Sequence, residues 1–158
     1  EKALIIGSSG GIGSAIHAAL ARQGVDVTGL SRRGHGLQIT DEASVERCLA
    51  TLDATYDLIF VTTGALELDG ARPEKTIAQI SASSMMAQFA VNCIGPSLVL
   101  KHARRLMPRI GVGFLSRVGA RGRLVAAAEG IAEGLAEGLD VRDEKRAVLF
   151  LRLELGVQ

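Results

Sequence analysis

A glycine-rich turn between an apolar strand and an amphipathic helix is the feature that most constrains how this chain folds. Residues 2–7 form a short apolar run that ends in glycine, and Gly11 and Gly13 follow it. The apolar positions after them recur at helical spacing as far as Gly24, and residues 25–30 are predicted to form a second strand. Strand, turn, helix and strand within about thirty residues predict a βαβ unit with parallel strands.

The turn itself suits a pyrophosphate group. Gly7 permits a sharp turn off the strand, and Gly11 or Gly13 lets the backbone approach either a ligand or the strand closely. The free N–H groups at the start of the helix and their aligned dipoles favour a bound phosphate. A glycine-rich turn without a ligand is the alternative, but its place between a strand and a helix favours dinucleotide binding.

Ser31, Arg32 and Arg33 come directly after the second strand, where a dinucleotide fold distinguishes its cofactors. A fold that prefers NAD places an acid here for the ribose 2′-hydroxyl, whereas an arginine accommodates a 2′-phosphate. The chain has no acid between these residues and Asp41, and guanidinium groups suit phosphate oxygens. We therefore expect NADP(H) to be preferred, with NAD(H) possible; the alternative is a solvated turn.

The alternation of strands and helices continues along the chain. The pattern predicts strands at residues 37–39, 57–61, 110–116 and 147–155, a helix over 42–52 capped by Thr40 or Asp41, and a long helix from about Ser83 to Arg105. Pro96 lies inside the long helix and predicts a kink or a local break. Together these elements predict an α/β fold with a doubly wound parallel sheet, in a single domain over residues 1–158.

The composition is typical of one globular domain and excludes several classes of function. Apolar residues make up 47% of the 158, and 18 basic groups against 17 acidic groups leave a net charge of +1. This balance argues against nucleic-acid binding or a membrane-surface role driven by bulk charge. The two cysteines predict neither a disulfide framework nor a metal site. No continuous apolar run reaches the ~18 residues of a membrane span, so we expect a soluble, cytoplasmic protein.

Three motifs resemble those of the short-chain dehydrogenases/reductases, nearest to the carbonyl-reductase-like and signalling-factor-like members. Residues 6–13 match the family's Thr-Gly-x-x-x-Gly-x-Gly element, with Ile6 in place of the threonine. Residues 91–96 match its helical Val-Asn-x-x-Gly-Pro pattern, and residues 61–64 keep only the glycine of its Asn-Asn-Ala-Gly turn. The resemblance covers residues 2–119 well and the remaining tail poorly.

The resemblance implies a three-layer Rossmann fold and an NADP(H)-dependent oxidoreductase that moves a hydride between nicotinamide and a carbonyl or alcohol carbon. It assigns Asn92 to hold a proton-relay water and Ser116 to orient the substrate. Around the cofactor it places Gly7, Ser8, Ser9, Gly11, Ile12 and Gly13 at the pyrophosphate, Ser31, Arg32 and Arg33 at the 2′-phosphate, Gln38 and Ile39 beside adenine, and Thr62, Thr63 and Gly64 on the adenosine ribose side. It also implies a homodimer or homotetramer.

The family's catalytic tyrosine and lysine are missing from their expected place. In the family, the tyrosine is the general acid and a nearby lysine lowers its pKa. Residues 117–144 contain neither residue type, and the single tyrosine is Tyr56. Three interpretations stay open: the chain is part of a longer one, it is a dinucleotide-binding sensor without turnover, or an unrelated group donates the proton.

Overall fold

The computed structural model describes residues 1–107, except 69, 71 and 73, together with the strand Ala147–Leu149. In these residues, parallel strands form one sheet in the order β2-β1-β3-β4. The strands are β1 (Lys2–Ile6), β2 (Asp26–Leu30), β3 (Leu58–Val61) and β4 (Ala147–Leu149). Because β1 lies between β2 and β3, the strand order reverses beside it, and such sheets bind ligands at that point.

Five α-helices connect or cover the strands in the described part of the chain. They are α1 (Gly11–Arg22), α2 (Arg32–His35), α3 (Glu42–Ala50), α4 (Ala82–Phe89) and α5 (Gly95–Ala103). Of the two predicted caps for α3, Asp41 is the one used, since its Oδ1 accepts the Ala43 N–H at 3.0 Å. Ser81 begins α4 in the same manner, accepting the Ser84 N–H at 3.1 Å.

Helices cover both faces of the sheet, which is why β1 is buried after its first residue. Leu4 and Ile6 point to one face, where side chains of α3 and α5 complete an apolar core. Ala3 and Ile5 point to the other face and pack against α1. The predicted α/β fold, with a parallel sheet between two layers of helices, is therefore confirmed.

The predicted strand at residues 37–39 is wrong. Leu37 is buried, as an apolar strand residue would be, but the Gln38 N–H donates to the Ser44 hydroxyl at 3.0 Å instead of to a strand. The same hydroxyl donates to the Gly36 carbonyl at 3.0 Å. The Ser44 side chain of α3 thus bonds backbone groups that would otherwise be free to pair with a neighbouring strand. The short helix α2, just before this segment, is also absent from the sequence prediction.

The predicted long helix is confirmed, and so is its break near Pro96. A π-helical turn, Ala90–Ile94, separates α4 from α5 and comes directly before Pro96. Proline has no N–H for the carbonyl one helical turn earlier, and the widened turn accommodates that loss. A 3₁₀ turn at Arg104–Leu106 ends the helix. The predicted strand at 110–116 and most of that at 147–155 lie outside the described residues.

By length and composition alone, Ala82–Leu106 could cross a membrane. It is the one such helix in the described ranges, with a mean hydropathy of 1.2 over the best window. A core helix of a soluble protein passes the same test. The α5 part of this helix packs in the core: Val99 and Ala103 are buried beside α3.

An ion-pair cluster ties α3 to α5. Lys101 donates a hydrogen bond to Glu42 Oε1, and His102 Nε2 lies 3.0 Å from the same oxygen. The hydrogen bond from Lys101, followed by that from His102, lowers the pKa of the Glu42 carboxyl, and Glu42 in turn raises the pKa of Lys101. Because the cluster is exposed to water, we assign it the modest role of aligning two helices.

Candidate functional site

The glycine turn after β1 is built by close backbone contacts. Gly7 has a φ of 94°, which side-chain-bearing residues rarely adopt. Its N–H donates to the Leu30 carbonyl at 2.8 Å, which ties the turn to the end of β2. A Cβ on Gly13 would lie 2.3 Å from the Gly7 oxygen, whereas a Cβ on Gly11 meets no described atom within 4 Å. Gly13 therefore serves close packing, whereas Gly11 is exposed and faces open space.

A cavity of about 400 Å³ opens beside this turn, at the carboxyl ends of β1, β2 and β3. Its walls are formed by the glycine turn, by the residues that follow β2 and β3, and by one residue of the π-helical turn. The lining residues are Gly7, Ser9, Gly10, Ser31, Arg32, Arg33, Leu37, Gln38, Ile39, Thr40, Thr62, Thr63, Gly64, Ala65, Leu68 and Val91.

Most of the predicted cofactor residues meet in this cavity, and four do not line it. Ser8 packs against β2 instead, because a Cβ on Gly29 would lie 2.7 Å from the Ser8 side chain. Ile12 packs into the core on the α1 face of the sheet. Gly11 and Gly13 belong to the first turn of α1 and are not among the lining residues. The sequence prediction missed the lining residues Gly10, Leu37, Thr40, Ala65, Leu68 and Val91.

Arg32 and Arg33 give the β2 side of the cavity a positive charge. Both are exposed and lie in α2, whose first turn is held by the nearly buried Ser31. The Ser31 hydroxyl oxygen accepts the Gly34 N–H at 3.1 Å, and the Ser31 N–H donates to His35 Nδ1 at 3.2 Å. No carboxylate is among the described residues that line the cavity. The arrangement suits an anionic group.

Ile39 brings the 37–40 segment against the long helix. A Cβ on Gly95 would lie 2.7 Å from Ile39 Cγ1 and 3.0 Å from the Ile39 oxygen. Glycine at this position therefore allows α5 to approach the cavity wall closely. This contact is the structural reason for the glycine in the Val-Asn-x-x-Gly-Pro pattern.

Thr62 and Thr63 lie side by side after β3 but have different roles. The Thr62 hydroxyl donates to the Ile6 carbonyl at 2.9 Å and so holds β3 to the end of β1. Thr63 Oγ1 is buried and has no hydrogen-bond partner among the described residues, although Thr63 lines the cavity. A buried hydroxyl without a partner costs about 1–3 kcal/mol, so this position fits a ligand that carries a polar group such as a ribose hydroxyl.

Asn92 joins the π-helical turn to the loop after β3. Its Oδ1 accepts the Ala65 N–H at 3.0 Å, and its Nδ2 donates to the Ala65 carbonyl at 2.9 Å. The second Nδ2 hydrogen is donated to Gln88 Oε1 at 2.7 Å. The Asn92 amide thus uses both its N–H groups within the protein and fixes one wall of the cavity; its predicted water stays a prediction.

No tyrosine lines this cavity among the residues that the structure describes. Tyr56 is buried in the core, where its Oη lies 3.2 Å from Thr28 Oγ1, and it does not line the cavity. Ser116 lies outside the described residues. Within the part of the chain that the structure describes, no group of His, Cys, Asp and Glu side chains could hold a metal ion.

Comparison with known proteins places these features in one family. The profile of the NAD dependent epimerase/dehydratase family matches residues 3–105. Sorbitol dehydrogenase of Cereibacter sphaeroides is 29% identical over 143 residues, which cover 77% of this chain and 55% of that protein. The chain therefore spans about half the length of this curated relative.

Solved structures share the fold. A short-chain dehydrogenase/reductase of Serratia marcescens superposes with a TM-score of 0.65 at 18% identity, covering 96% of this chain and 95% of its own. A small-chain dehydrogenase in complex with NADPH superposes with a TM-score of 0.58 at 27% identity, covering 86% of this chain and 64% of its own. The first likeness shows the fold alone, and the second adds a nucleotide-bound relative of similar sequence.

Proposed function

We propose that this chain, which belongs to the NAD dependent epimerase/dehydratase family, is an oxidoreductase that prefers NADP(H). Membership of this family also places the chain among the short-chain dehydrogenases/reductases. Its substrate would be a small molecule with a carbonyl or an alcohol group. The observation that carries the cofactor preference is the pair Arg32 and Arg33 at a cavity without a carboxylate among its described lining residues. Guanidinium groups match the oxygens of a 2′-phosphate in geometry and in charge.

The described residues fit the parts of this cofactor. The start of α1, which follows Ser9 and Gly10 of the cavity wall, would face the pyrophosphate, since the free N–H groups of its first turn favour an anion. The unpartnered Thr63 hydroxyl would bond the adenosine ribose, and Gln38 and Ile39 would flank adenine. When bound, the nicotinamide supplies or accepts the hydride. Asn92 would keep the loop after β3 in place beside it.

Titration with both cofactors tests the proposal. We expect NADPH to bind about ten- to a hundredfold more tightly than NADH, because a charge-assisted hydrogen bond contributes about 1.5–3 kcal/mol. Isothermal calorimetry on the purified chain measures both dissociation constants. Equal affinities, or tighter binding of NADH, would remove the arginine argument.

A dinucleotide-binding sensor without turnover is the second candidate. The observation that favours it is the position of Tyr56, the single tyrosine, in the core away from the cavity. Two measurements separate the candidates: oxidation of bound NADPH by a panel of aldehydes and ketones, and the mass of the natural protein. Turnover supports the enzyme. Bound NADPH that no carbonyl oxidises, in a protein of this chain's mass, supports the sensor.

We also propose that the protein is a homodimer or homotetramer, since α4 carries an exposed apolar face. Met86 is 65% exposed and Phe89 is 56% exposed, and contiguous apolar surface of this kind marks an interface. We expect Phe89→Glu to convert the assembly to monomers without changing NADPH affinity. Light scattering after size-exclusion chromatography measures the mass of each species. A wild-type protein that is already monomeric would contradict this.

A further inference from the structure

A second amide side chain, that of Gln88, extends the hydrogen bonds of Asn92. Gln88 lies in the last turn of α4. Its Oε1 accepts the Asn92 Nδ2–H at 2.7 Å, and its Nε2 donates to the Leu66 carbonyl at 2.9 Å. The two amides therefore hold two successive residues of the loop after β3, Ala65 through Asn92 and Leu66 through Gln88.

These bonds allow only one orientation of each amide. Asn92 must point Oδ1 to the Ala65 N–H and Nδ2 to the Ala65 carbonyl, and the Gln88 oxygen accepts only from Nδ2. The Leu66 carbonyl, which only a donor can satisfy, in turn orients Gln88. Hydrogen bonds in such a chain reinforce one another, and the loss of one member loosens the others.

The polar network matters here because apolar packing is weak. No residue of α4 is buried, so little hydrophobic burial holds this end of the helix to the loop. Gly64 and Ala65 nevertheless line the cavity on the β3 side of the glycine turn, opposite the arginines of the β2 side. The geometry of this wall depends on what fixes Ala65 and Leu66.

We infer that Gln88 is a positioning residue for the nucleotide cavity: it fixes the amide of Asn92 and, with it, the wall formed by Gly64 and Ala65. Gln88 does not line the cavity, so it acts through Asn92 and the loop backbone. The identity of the ligand rests on the proposed function, whereas the control of the loop by Gln88 does not.

The test uses Gln88→Leu, which keeps the approximate volume and removes both hydrogen bonds. We expect two changes: NADPH affinity falls by about three- to tenfold, and exchange of the Ala65 amide hydrogen accelerates by a similar factor, as the loss of neutral hydrogen bonds implies. Gln88→Glu keeps an acceptor for Asn92 and should recover part of both. Ser83→Ala, an exposed change on the same helix, is the matched control and should alter neither.

NADPH affinity and Ala65 exchange are both measured under conditions in which circular dichroism shows that every variant is folded. A change in either quantity therefore cannot come from global unfolding. Faster Ala65 exchange in Gln88→Leu, with β3 amides unchanged, supports it; wild-type exchange together with wild-type affinity overturns it. If the wild-type chain binds neither NADPH nor NADH, the proposed function fails, and the exchange rates still decide the role of Gln88. A variant that loses stability but keeps wild-type affinity and wild-type exchange shows a merely structural side chain.

Discussion

Arg32→Asp should abolish the proposed preference of this protein for NADPH over NADH. A carboxylate at this position repels the 2′-phosphate of NADPH but can accept a hydrogen bond from the 2′-hydroxyl of NADH. We expect NADPH affinity to fall by about ten- to a hundredfold, which corresponds to about 1.5–3 kcal/mol for a charge-assisted contact. NADH affinity should fall little or improve. Calorimetric titration of the variant with both cofactors measures the change.

Arg33→Asp is the neighbouring control for this prediction. Both arginines line the cavity in the short helix α2, but only one of two adjacent side chains needs to contact the phosphate. The variant with the larger loss identifies that side chain. Should neither substitution change the ratio of NADPH to NADH affinity, the two arginines belong to a solvated turn and the cofactor preference is undecided.

Gly13→Ala should destabilise the whole domain. The added Cβ would lie 2.3 Å from the Gly7 oxygen and 2.7 Å from Thr62 Oγ1. Neither neighbour can move freely, because the first is backbone and the second is bonded to the Ile6 carbonyl at 2.9 Å. Forced overlap in a packed region costs typically 1–3 kcal/mol and occasionally more, and we expect about 3 kcal/mol or a chain that does not fold. Urea unfolding followed by circular dichroism measures the loss.

Gly11→Ala is the matched control, two residues away in the same turn of α1. Its Cβ meets no described atom within 4 Å, and alanine favours a helix over glycine by as much as about 1 kcal/mol. We expect stability equal to the wild type or higher, because the methyl group has room and adds helix propensity. If Gly13→Ala proves as stable as Gly11→Ala, the close packing of the turn is refuted.

The local fold followed from residue patterns wherever neighbours in sequence are also neighbours in space. The helix of the first βαβ unit, the cap at Asp41 and the break at Pro96 all depend on contacts within a few residues. The strand predicted at residues 37–39 was wrong although the contact that replaces it is also local. Leu37 is buried, as an apolar strand residue would be, but the Gln38 N–H donates to the Ser44 hydroxyl of the next helix, and a hydrophobic pattern does not indicate such a bond between side chain and backbone.

The sequence indicated some of the residues that line the cavity and missed others. Ser31 and Arg32 were predicted at the cofactor from their place after the second strand of a dinucleotide fold, and Thr63 from the resemblance of its turn to that of the family. Leu68 and Val91 line the same cavity but follow no strand, and the motif that contains Val91 was used to assign a role to Asn92 alone. Val91 reaches it because the π-helical turn packs beside the loop after β3.

The amino-acid sequence by itself determined the first βαβ unit, the long helix with its break, the glycine turn and the place of the two arginines, since these depend on local propensity and on positions next to a strand end. Only the tertiary structure decided that Gly13 packs while Gly11 stays open, that Thr62 bonds the Ile6 carbonyl while Thr63 Oγ1 has no partner among the described residues, and that the amides of Asn92 and Gln88 bond the loop after β3. Each of these depends on distances between atoms that distant parts of the chain bring together, and no periodicity in one segment encodes such distances.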